Sequence, residues 1–375
     1  MPNNRRTENV VSYFEKLPTE VIWMIASLCD HGTIVALAST SSHMRFKVLP
    51  LIHKQVVFWG QQDSLKKLLA DFSGCQPLIK SRIYSIVSSA IIVVLPKPGQ
   101  RGLRADRDDK ADGLAERILE ALQTMPNLRS LSLHLRYMNY FQEAELYHRM
   151  LFEGATEIQY LQISSSTRVM RRLLQTCPAL TTLEIGPGFK MGRLHEIPPT
   201  VKRLGVTLHV ESHLSSSVWI PSLKVENIRH IVRLNSCLEE LILRDYEKNT
   251  IPFHPLSIKD GELDAIFKNA LREAGHELSR LPKLQRLAIN IWRGTSSQVR
   301  SHSQLVLLKK KDWHNNWYSD CTRRLGEALP HIQQICIISG NHTYWRGSRQ
   351  MPNGTFLTEK RTMESGKKFP RTFNS

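Results

Sequence analysis

Two short stretches hold residue types at spacings that could bind a ligand. GPGFKMG, from Gly186, has the glycine content of a dinucleotide-binding loop, and DRDDKADG, from Asp106, has the acidic residues of a calcium loop. In the first, Pro187 interrupts the loop, the third glycine is misplaced and no helix pattern follows, which indicates a turn between repeats. In the second, Lys110 and Arg117 occupy the fifth and twelfth positions, where a calcium loop needs oxygen ligands. We therefore interpret the second stretch as a solvated loop.

The cysteine and histidine residues show no spacing that favours a metal site or an activated nucleophile. The six cysteines are widely separated, without a C-x-x-C pair, which predicts reduced thiols in an intracellular protein. The fifteen histidines are scattered without ligand spacing. The motifs G-x-S-x-G, H-E-x-x-H and the P-loop do not occur in the sequence. We therefore predict a protein that is not an enzyme and that uses no metal and no cofactor.

The chain carries 51 basic and 34 acidic residues, a formal net charge of +17. This balance favours contact with phosphates, but the basic residues are dispersed, and the triplet Lys309–Lys311 is a weak nuclear address. They are densest near the C-terminus, so we predict a basic, partly ordered tail at 341–375. Nucleic-acid binding through this tail stays open as an alternative. No run approaches the ~18 apolar residues of a membrane span, and we predict no membrane partner.

A repeated apolar pattern dominates the chain from about residue 114. The pattern P-x-[LIV]-x-x-[LIV]-x-[LIV] occurs five times, and two further copies lack the proline. The seven copies begin at Pro126, Thr156, Pro178, Pro199, Ser236, Pro282 and Pro330. Each copy ends in the alternation of a strand, most copies follow a helical stretch, and the proline ends that helix. Such a helix–strand unit leaves apolar surface exposed until neighbouring units stack on it.

From Leu114 to Ile338 the chain resembles the leucine-rich-repeat family in its irregular form. The resemblance implies an α/β solenoid that captures a protein substrate. Three residues after each strand pattern, that family often carries Asn or Cys. This chain has Arg136, Ser166, Gly188, His209, Tyr246, Trp292 and Gly340 there, so no polar ladder can form. We also expect an atypical helix–strand unit at 64–95, and an insertion at Trp292–Asp320 whose aromatic residues anchor a loop.

Residues 17–45 pose a separate problem, because a helix over Val21–Leu28 is apolar on nearly every side. One stripe of that helix holds Leu17, Val21, Met24, Ile25 and Leu28. A helix of a small domain normally buries one stripe and exposes the other to water. We predict a second apolar helix that has Thr33 as its N-cap and runs on to Val48. Two such helices make a poor independent core, so they need another surface.

This arrangement resembles the F-box, a helical module that begins with Leu-Pro-x-Glu-Ile/Val. The resemblance covers residues 14 to about 55 and departs from the family pattern at 42–44. It implies docking onto a Skp-type adaptor and, through that adaptor, onto a cullin–RING ubiquitin ligase. The implied adaptor contacts are Leu17, Pro18, Glu20, Val21, Ile22, Trp23, Ile25, Leu28, Ile34, Leu37 and Ala38. A plain helical cap on the repeat array stays open as an alternative.

We therefore expect an α/β fold, with an N-terminal three-helix F-box-like module followed by an irregular leucine-rich-repeat-like α/β solenoid. The expected boundaries are a flexible N-terminus at 1–13, the module at 14–60, the substrate-recognition array at 61–340 and the tail at 341–375. The expected function is that of a non-catalytic substrate-recognition adaptor of a ubiquitin ligase, in the cytoplasm or the nucleus. A scaffold whose helical cap binds nothing is a further alternative.

The residues beside the inward apolar positions of each strand must point outward, onto an open face. The large side chains expected there are Tyr160, Arg203, Arg244 and Arg286, which we predict to bind the substrate. The three arginines suit an acidic or phosphorylated partner. Glu184 and Glu240 lie among them, so a mixed, solvated face is an equal alternative.

Overall fold

The structure is a computed structural model, and it describes residues 13–74, 83–96, 112–150, 153–187, 197–209, 223–246, 260–290, 304–339, 343–350 and 356–362. These residues form a mixed α/β fold with ten α-helices and one open sheet of eleven strands. The first three helices are α1 (Thr19–Ser27), α2 (His31–Thr40) and α3 (Ser42–Ile52). The next elements are β1 (Gln55–Gly60), α4 (Gln62–Gly74), β2 (Ser89–Val94), α5 (Leu114–Gln123), β3 (Ser130–His134), α6 (Tyr140–Arg149), β4 (Tyr160–Ser164), α7 (Thr167–Thr176) and β5 (Thr182–Ile185). The last are β6 (Arg203–His209), α8 (Val225–Leu234), β7 (Glu240–Tyr246), α9 (Asp260–Leu278), β8 (Arg286–Asn290), α10 (Gln304–Ala328), β9 (Gln334–Ser339), β10 (Thr343–Arg349) and β11 (Phe356–Thr362).

The strands lie in the sheet in the same order as in the chain. Each pair from β1 to β9 is parallel. Strands β10 and β11 extend the sheet by antiparallel pairing. A parallel neighbour requires a crossover connection, and helices α4 to α10 supply the crossovers that the structure describes.

The repeat pattern corresponds to one continuous row of side chains across the sheet. The second apolar positions of the seven copies are Leu131, Leu161, Leu183, Leu204, Leu241, Leu287 and Ile335, and they pair in register from strand to strand. All seven are fully buried. They join one large core with the inner faces of helices α4 to α10. The predicted strands are confirmed at all seven copies, and the predicted unit at 64–95 is confirmed as α4 and β2.

The sheet is longer at both ends than the expected array. Strand β1 lies within the range assigned to the N-terminal module, yet it pairs with β2. Strands β10 and β11 lie within the expected tail, yet they continue the sheet beyond β9. The sheet therefore extends from Gln55 to Thr362, beyond the boundaries of 60 and 341 expected for the array. The sequence pattern of a single strand is too weak to identify it without its neighbours. Residues 1–12 of the expected flexible N-terminus and 363–375 of the expected tail lie outside the described residues.

The insertion expected at Trp292–Asp320 is also corrected, because residues 304–328 form the long helix α10. Its C-terminal half buries Trp317, Tyr318, Cys321 and Leu325, whose spacing forms one helical face. The Tyr318 ring stacks on Trp345 of β10 with ring centroids 4.4 Å apart. Trp317 and Tyr318 therefore belong to the core rather than to a loop.

The N-terminal module contains three helices, but the second ends earlier than expected. The side chain of Asp30, not Thr33, caps α2 by accepting from the Thr33 backbone N–H at 2.7 Å. Ser41 adopts an extended conformation and its hydroxyl accepts from the Met44 N–H at 3.1 Å. A serine at that position starts a new helix, which is why α2 and α3 separate.

Candidate functional site

The N-terminal module has a small core of its own, separate from the core of the sheet. Ile22, Ala38, Met44 and Val48 are buried together. Leu17, Ile34, Leu37 and two other half-buried side chains pack around them. The side of α1 that carries Ile22 and Ala26 is buried inside the module.

The opposite side of α1 carries an exposed apolar stripe, which we name the α1 stripe. Its members are Val21, Met24, Ile25 and Leu28, with exposed fractions of 38%, 70%, 36% and 89%. Their spacing of i, i+3, i+4 and i+7 places them along one line on the helix. Val35 of α2 and Phe46 of α3 are exposed as well. The side of α1 that lacked an explanation in the sequence is therefore left uncovered by the described part of this chain.

The eleven residues predicted to bind the adaptor separate into four groups. Val21, Ile25 and Leu28 lie on the α1 stripe, with Pro18 and Glu20 exposed at the start of the helix. Trp23 lies on another side, and its Nε1–H donates to the Lys47 carbonyl at 2.7 Å.

Leu17, Ile34 and Leu37 are half-buried, whereas Ile22 and Ala38 are core residues. Ile22 is fully buried and Ala38 is 6% exposed, so burial in the module does not favour direct contact by these two side chains. Met24 was missing from the prediction, although its position three residues after Val21 places it on the same line.

A second candidate surface is the face of the sheet turned away from the helices, which we name the strand face. Its residues alternate with the buried rows along each strand. Arg203 on β6, Glu240 on β7 and Arg286 on β8 are register partners on this face. Arg203 Nε lies 3.4 Å from Glu240 Oε1, and the Arg286 guanidinium binds the same oxygen.

The other two predicted substrate residues are also engaged on the strand face. Arg244 lies 3.1 Å from a carboxylate oxygen of Glu184, which is buried. Tyr160 is buried in a second apolar cluster with Ile242, Ala288, Cys336 and Ile338. Tyr344 of β10, within the range expected to be a tail, packs against this cluster. All four predicted side chains therefore have contacts within the chain, and Arg203 and Arg286 are the most exposed of the three arginines.

The first two strands form an apolar end of the strand face that sequence reasoning missed. Phe58 of β1 points to the helices, where its ring contacts Phe72 of α4. Val57 and Trp59 alternate with it, so they lie on the strand face, and they are 52% and 63% exposed. Their register partners Ile91 and Val93 are half-buried. The alternating pattern of QVVFWG (Gln55–Gly60) could have indicated this strand, but these residues lie inside the range expected for the module.

The acidic stretch that could have bound calcium has one member in the described part of the chain. Asp112 lies 3.0 Å from Lys66 Nζ and accepts from Gln142 Nε2 at 2.8 Å. Burial raises the pKa of this carboxyl, but hydrogen bonds from Gln142, Lys66 and the Leu114 N–H outweigh it and lower the pKa. Asp112 therefore ties α4, α5 and α6 together. The rest of that stretch, and GPGFKMG from residue 188, lie outside the described residues.

Three of the described cysteines, Cys177, Cys321 and Cys336, are buried thiols. Burial raises the pKa of Cys177 to about 11 and that of Cys336 to about 12, so both thiols are protonated at neutral pH. The described residues contain no group of three or more His, Cys, Asp or Glu side chains that could hold a metal ion. Among the helices of the described ranges, none is long and apolar enough to cross a membrane.

The described residues therefore present two candidate surfaces, the exposed apolar α1 stripe and the strand face. A scan against protein-family models matched no family, and a search of curated proteins found no similar sequence.

Proposed function

We propose that this chain is the substrate-recognition subunit of a Skp–cullin–F-box type ubiquitin ligase. Residues 14–55 bind a Skp-type adaptor, and the strand face of the repeat array binds a protein substrate. The chain itself is non-catalytic, because the other subunits of such a ligase transfer ubiquitin. The proposed locations are the cytoplasm and the nucleus.

The observation that carries this proposal is the exposed α1 stripe. Its four apolar side chains span about 10 Å of helix, at 1.5 Å per residue. Removing apolar surface from water is favourable by about 25 cal/mol per Å². A partner that covers the stripe therefore gains affinity. A groove that accepts one apolar helix face is a common mode of protein recognition. The F-box resemblance of Leu17, Pro18, Glu20 and Val21 names the Skp-type adaptor as that partner.

The array supports the second half of the proposal. Helix–strand units follow one another in chain order, and each adds one parallel strand beside the last. This arrangement favours an irregular leucine-rich-repeat-like solenoid, in which the helices cover one side of the sheet. The other side is the strand face, where loops and helices of the described chain leave room for a partner at β1–β2 and around Arg203.

Co-purification of the full-length chain with a Skp-type adaptor tests the proposal. We expect the double variant Met24→Asp, Ile25→Asp to lose the adaptor, because two carboxylates would be buried in an apolar contact. The matched control is Leu68→Asp, an exposed apolar residue of α4 outside the module, which should keep the adaptor. Circular dichroism of both variants should match the wild type. Undiminished adaptor binding by the double variant would contradict the proposal.

Nucleic-acid binding is the second candidate, and basic side chains of α7 favour it. Arg168 and Arg171 are exposed on that helix and Arg172 is half-buried, in a chain of net charge +17. Phosphate-dominated binding falls steeply with salt. Fluorescence anisotropy with a 20-base-pair duplex, between about 50 and 200 mM salt, separates the candidates. Tight binding that weakens at least ~10³-fold over this range supports nucleic-acid binding.

A further inference from the structure

We infer that the free edge of β1 pairs with β1 of a second copy of this chain, so that the two sheets join across a two-fold axis at Val57. This inference goes beyond the proposed function, because it concerns association of the chain with itself. It rests on three features of the described residues: the backbone groups that β1 directs outward, the uncharged side chains of this strand, and the exposed side of α4 beside it.

Strand β1 is the first strand of the sheet, and its outer side has no neighbouring strand among the described residues. The carbonyl groups of Lys54 and Gly60 accept from N–H groups at the two ends of β2, at 3.0 and 2.8 Å. Every second residue of a parallel strand bonds to the same neighbour, so the even-numbered residues of β1 face β2. The backbone N–H and C=O groups of Gln55, Val57 and Trp59 therefore point toward the open edge.

The edge of β1 lacks the charges that normally keep edge strands apart. None of its six residues is charged, and Val57 and Trp59 are more than half exposed. The edge strand at the other end of the described sheet, β11, differs, because it exposes Glu359, Lys360 and Arg361. Charged side chains protect an edge from pairing, whereas an apolar, uncharged edge favours it. Of these two edges, β1 is therefore the one suited to pair with another strand.

The order of the outward residues of β1 suits an antiparallel pair of identical strands. With the two-fold axis at Val57, each Val57 faces its counterpart, and Gln55 of one copy faces Trp59 of the other. All outward N–H and C=O groups of these three residues then find partners, because two directly opposed residues exchange both bonds. The two Val57 side chains contact each other on the strand face, and no charged side chains of β1 are brought together. Such self-complementary contact is typical of two-fold dimers.

Helix α4 offers a further apolar contact to the same second copy. It packs on β1, where Phe72 contacts the ring of Phe58. Lys66 Nζ lies 3.0 Å from Asp112, which precedes α5, so this side of α4 faces the next unit of the array. Leu68 lies about 200° around the helix from Lys66, on the side away from α5, and it is exposed. Pairing of the two edges at ~4.8 Å places the two α4 helices side by side, with Leu68 of each copy between them.

Sedimentation velocity of the full-length chain tests this inference. The chain carries Met24→Asp and Ile25→Asp throughout, so that the α1 stripe does not itself cause association. We expect a dimer, and Val57→Lys should raise its dissociation constant at least about tenfold, because two like charges would oppose each other at the axis. The matched control is Leu357→Lys, an exposed apolar residue of β11, which should leave the dimer unchanged. Circular dichroism of both variants should match the parent chain.

Cysteine cross-linking tests the register of the pair. Opposed residues of a hydrogen-bonded antiparallel pair have Cα atoms about 5.5 Å apart, within the range of a disulfide. Val57→Cys should therefore form a covalent dimer under mild oxidation, above the background that the native cysteines give in the parent chain. Trp59→Cys is the matched control, because its counterpart lies four residues further along the pair, about 13 Å away. It should stay at the background level.

Three results would overturn the inference. A monomer at concentrations up to about 100 µM is the first, and it would leave an extended segment of another protein as the occupant of this edge. A dimer that Val57→Lys leaves intact is the second, and equal cross-linking of Val57→Cys and Trp59→Cys is the third. None of these measurements involves the adaptor, whose binding depends on the α1 stripe. Failure here and failure of the proposed function are therefore separate results.

Discussion

Four apolar side chains of α1 face solvent, whereas the row from Leu131 to Ile335 in the sheet is fully buried. The two regions differ in what packs on their apolar side chains. Each unit of the array packs on its neighbour, so this inward apolar row has partners within the described chain. The N-terminal module has few residues and only a small core of its own. The module therefore forms its three helices but leaves an apolar side of α1 exposed to solvent.

The largest expected effect separates two leucines of opposite burial. Leu204→Ala on β6 removes a fully buried side chain and should lower the free energy of unfolding by about 2–5 kcal/mol. Leu28→Ala removes a side chain that is 89% exposed and should change it by less than about 0.5 kcal/mol. Urea unfolding of the full-length chain measures both. Equal losses would mean that the module and the array do not differ in burial.

A second effect concerns the strands that close the far end of the sheet. A Cβ at Gly347 of β10 would overlap the Phe356 ring and lie 2.7 Å from the Thr322 methyl group. Gly347→Ala should therefore lower the melting temperature, at a cost of about 1–3 kcal/mol. The control is Gly74→Ala at the end of α4, where the space around a Cβ is open. A neutral Gly347→Ala would show that β10 and β11 are not packed on α10.

Helix caps allow the two regions to be compared at equal chemistry. Asn139 caps α6 in the array and accepts from the Gln142 N–H at 2.8 Å, and Asp30 caps α2 in the module. Replacement of either by Ala should cost about 1 kcal/mol. Native-state hydrogen exchange should show the Asp30→Ala loss in the amides of α1–α3 alone. Loss of protection throughout the array in Asp30→Ala would mean that both regions unfold as one unit.

The smallest effect depends on pH. Burial raises the pKa of Glu143, although hydrogen bonds from Ser166 and Ser165 and the charge of Arg168 oppose the rise. A raised pKa means that the folded state holds the proton more tightly, so this carboxyl favours folding at low pH. Its contribution is lost as pH rises from about 4.5 through the folded-state value. The stability of the wild type relative to Glu143→Gln should therefore fall between pH 4 and pH 7, as measured by urea unfolding. A difference that grows with pH would contradict the sign.

Much of the array could be predicted because its signals repeat. The apolar positions of the seven copies and the buried face of α5 follow from spacing alone, and the structure places them in one core. Single elements were harder. Strands β1, β10 and β11 have no repeat partner in the sequence, and their assignment depends on pairing with a neighbour. For the same reason the aromatic residues of α10 were assigned to a loop, although Trp345 of β10 is what Tyr318 stacks on.

The candidate sites divide in the same way. Helical periodicity was enough to place Val21, Ile25 and Leu28 on one line of α1, because 3.6 residues per turn is a local property. Periodicity could not decide which line faces the core; contact with Met44 and Val48 of α3 makes that the side of Ile22.

On the strand face, alternation by itself determined that Arg203, Arg244 and Arg286 point the same way. The tertiary structure alone decided that Arg203 and Arg286 share Glu240, that Arg244 binds Glu184, and that Trp59 lies at the other end of the face. These contacts join residues up to 60 positions apart in the chain. Local sequence sets the direction of each side chain, whereas strand register, which depends on every unit between, sets its neighbours.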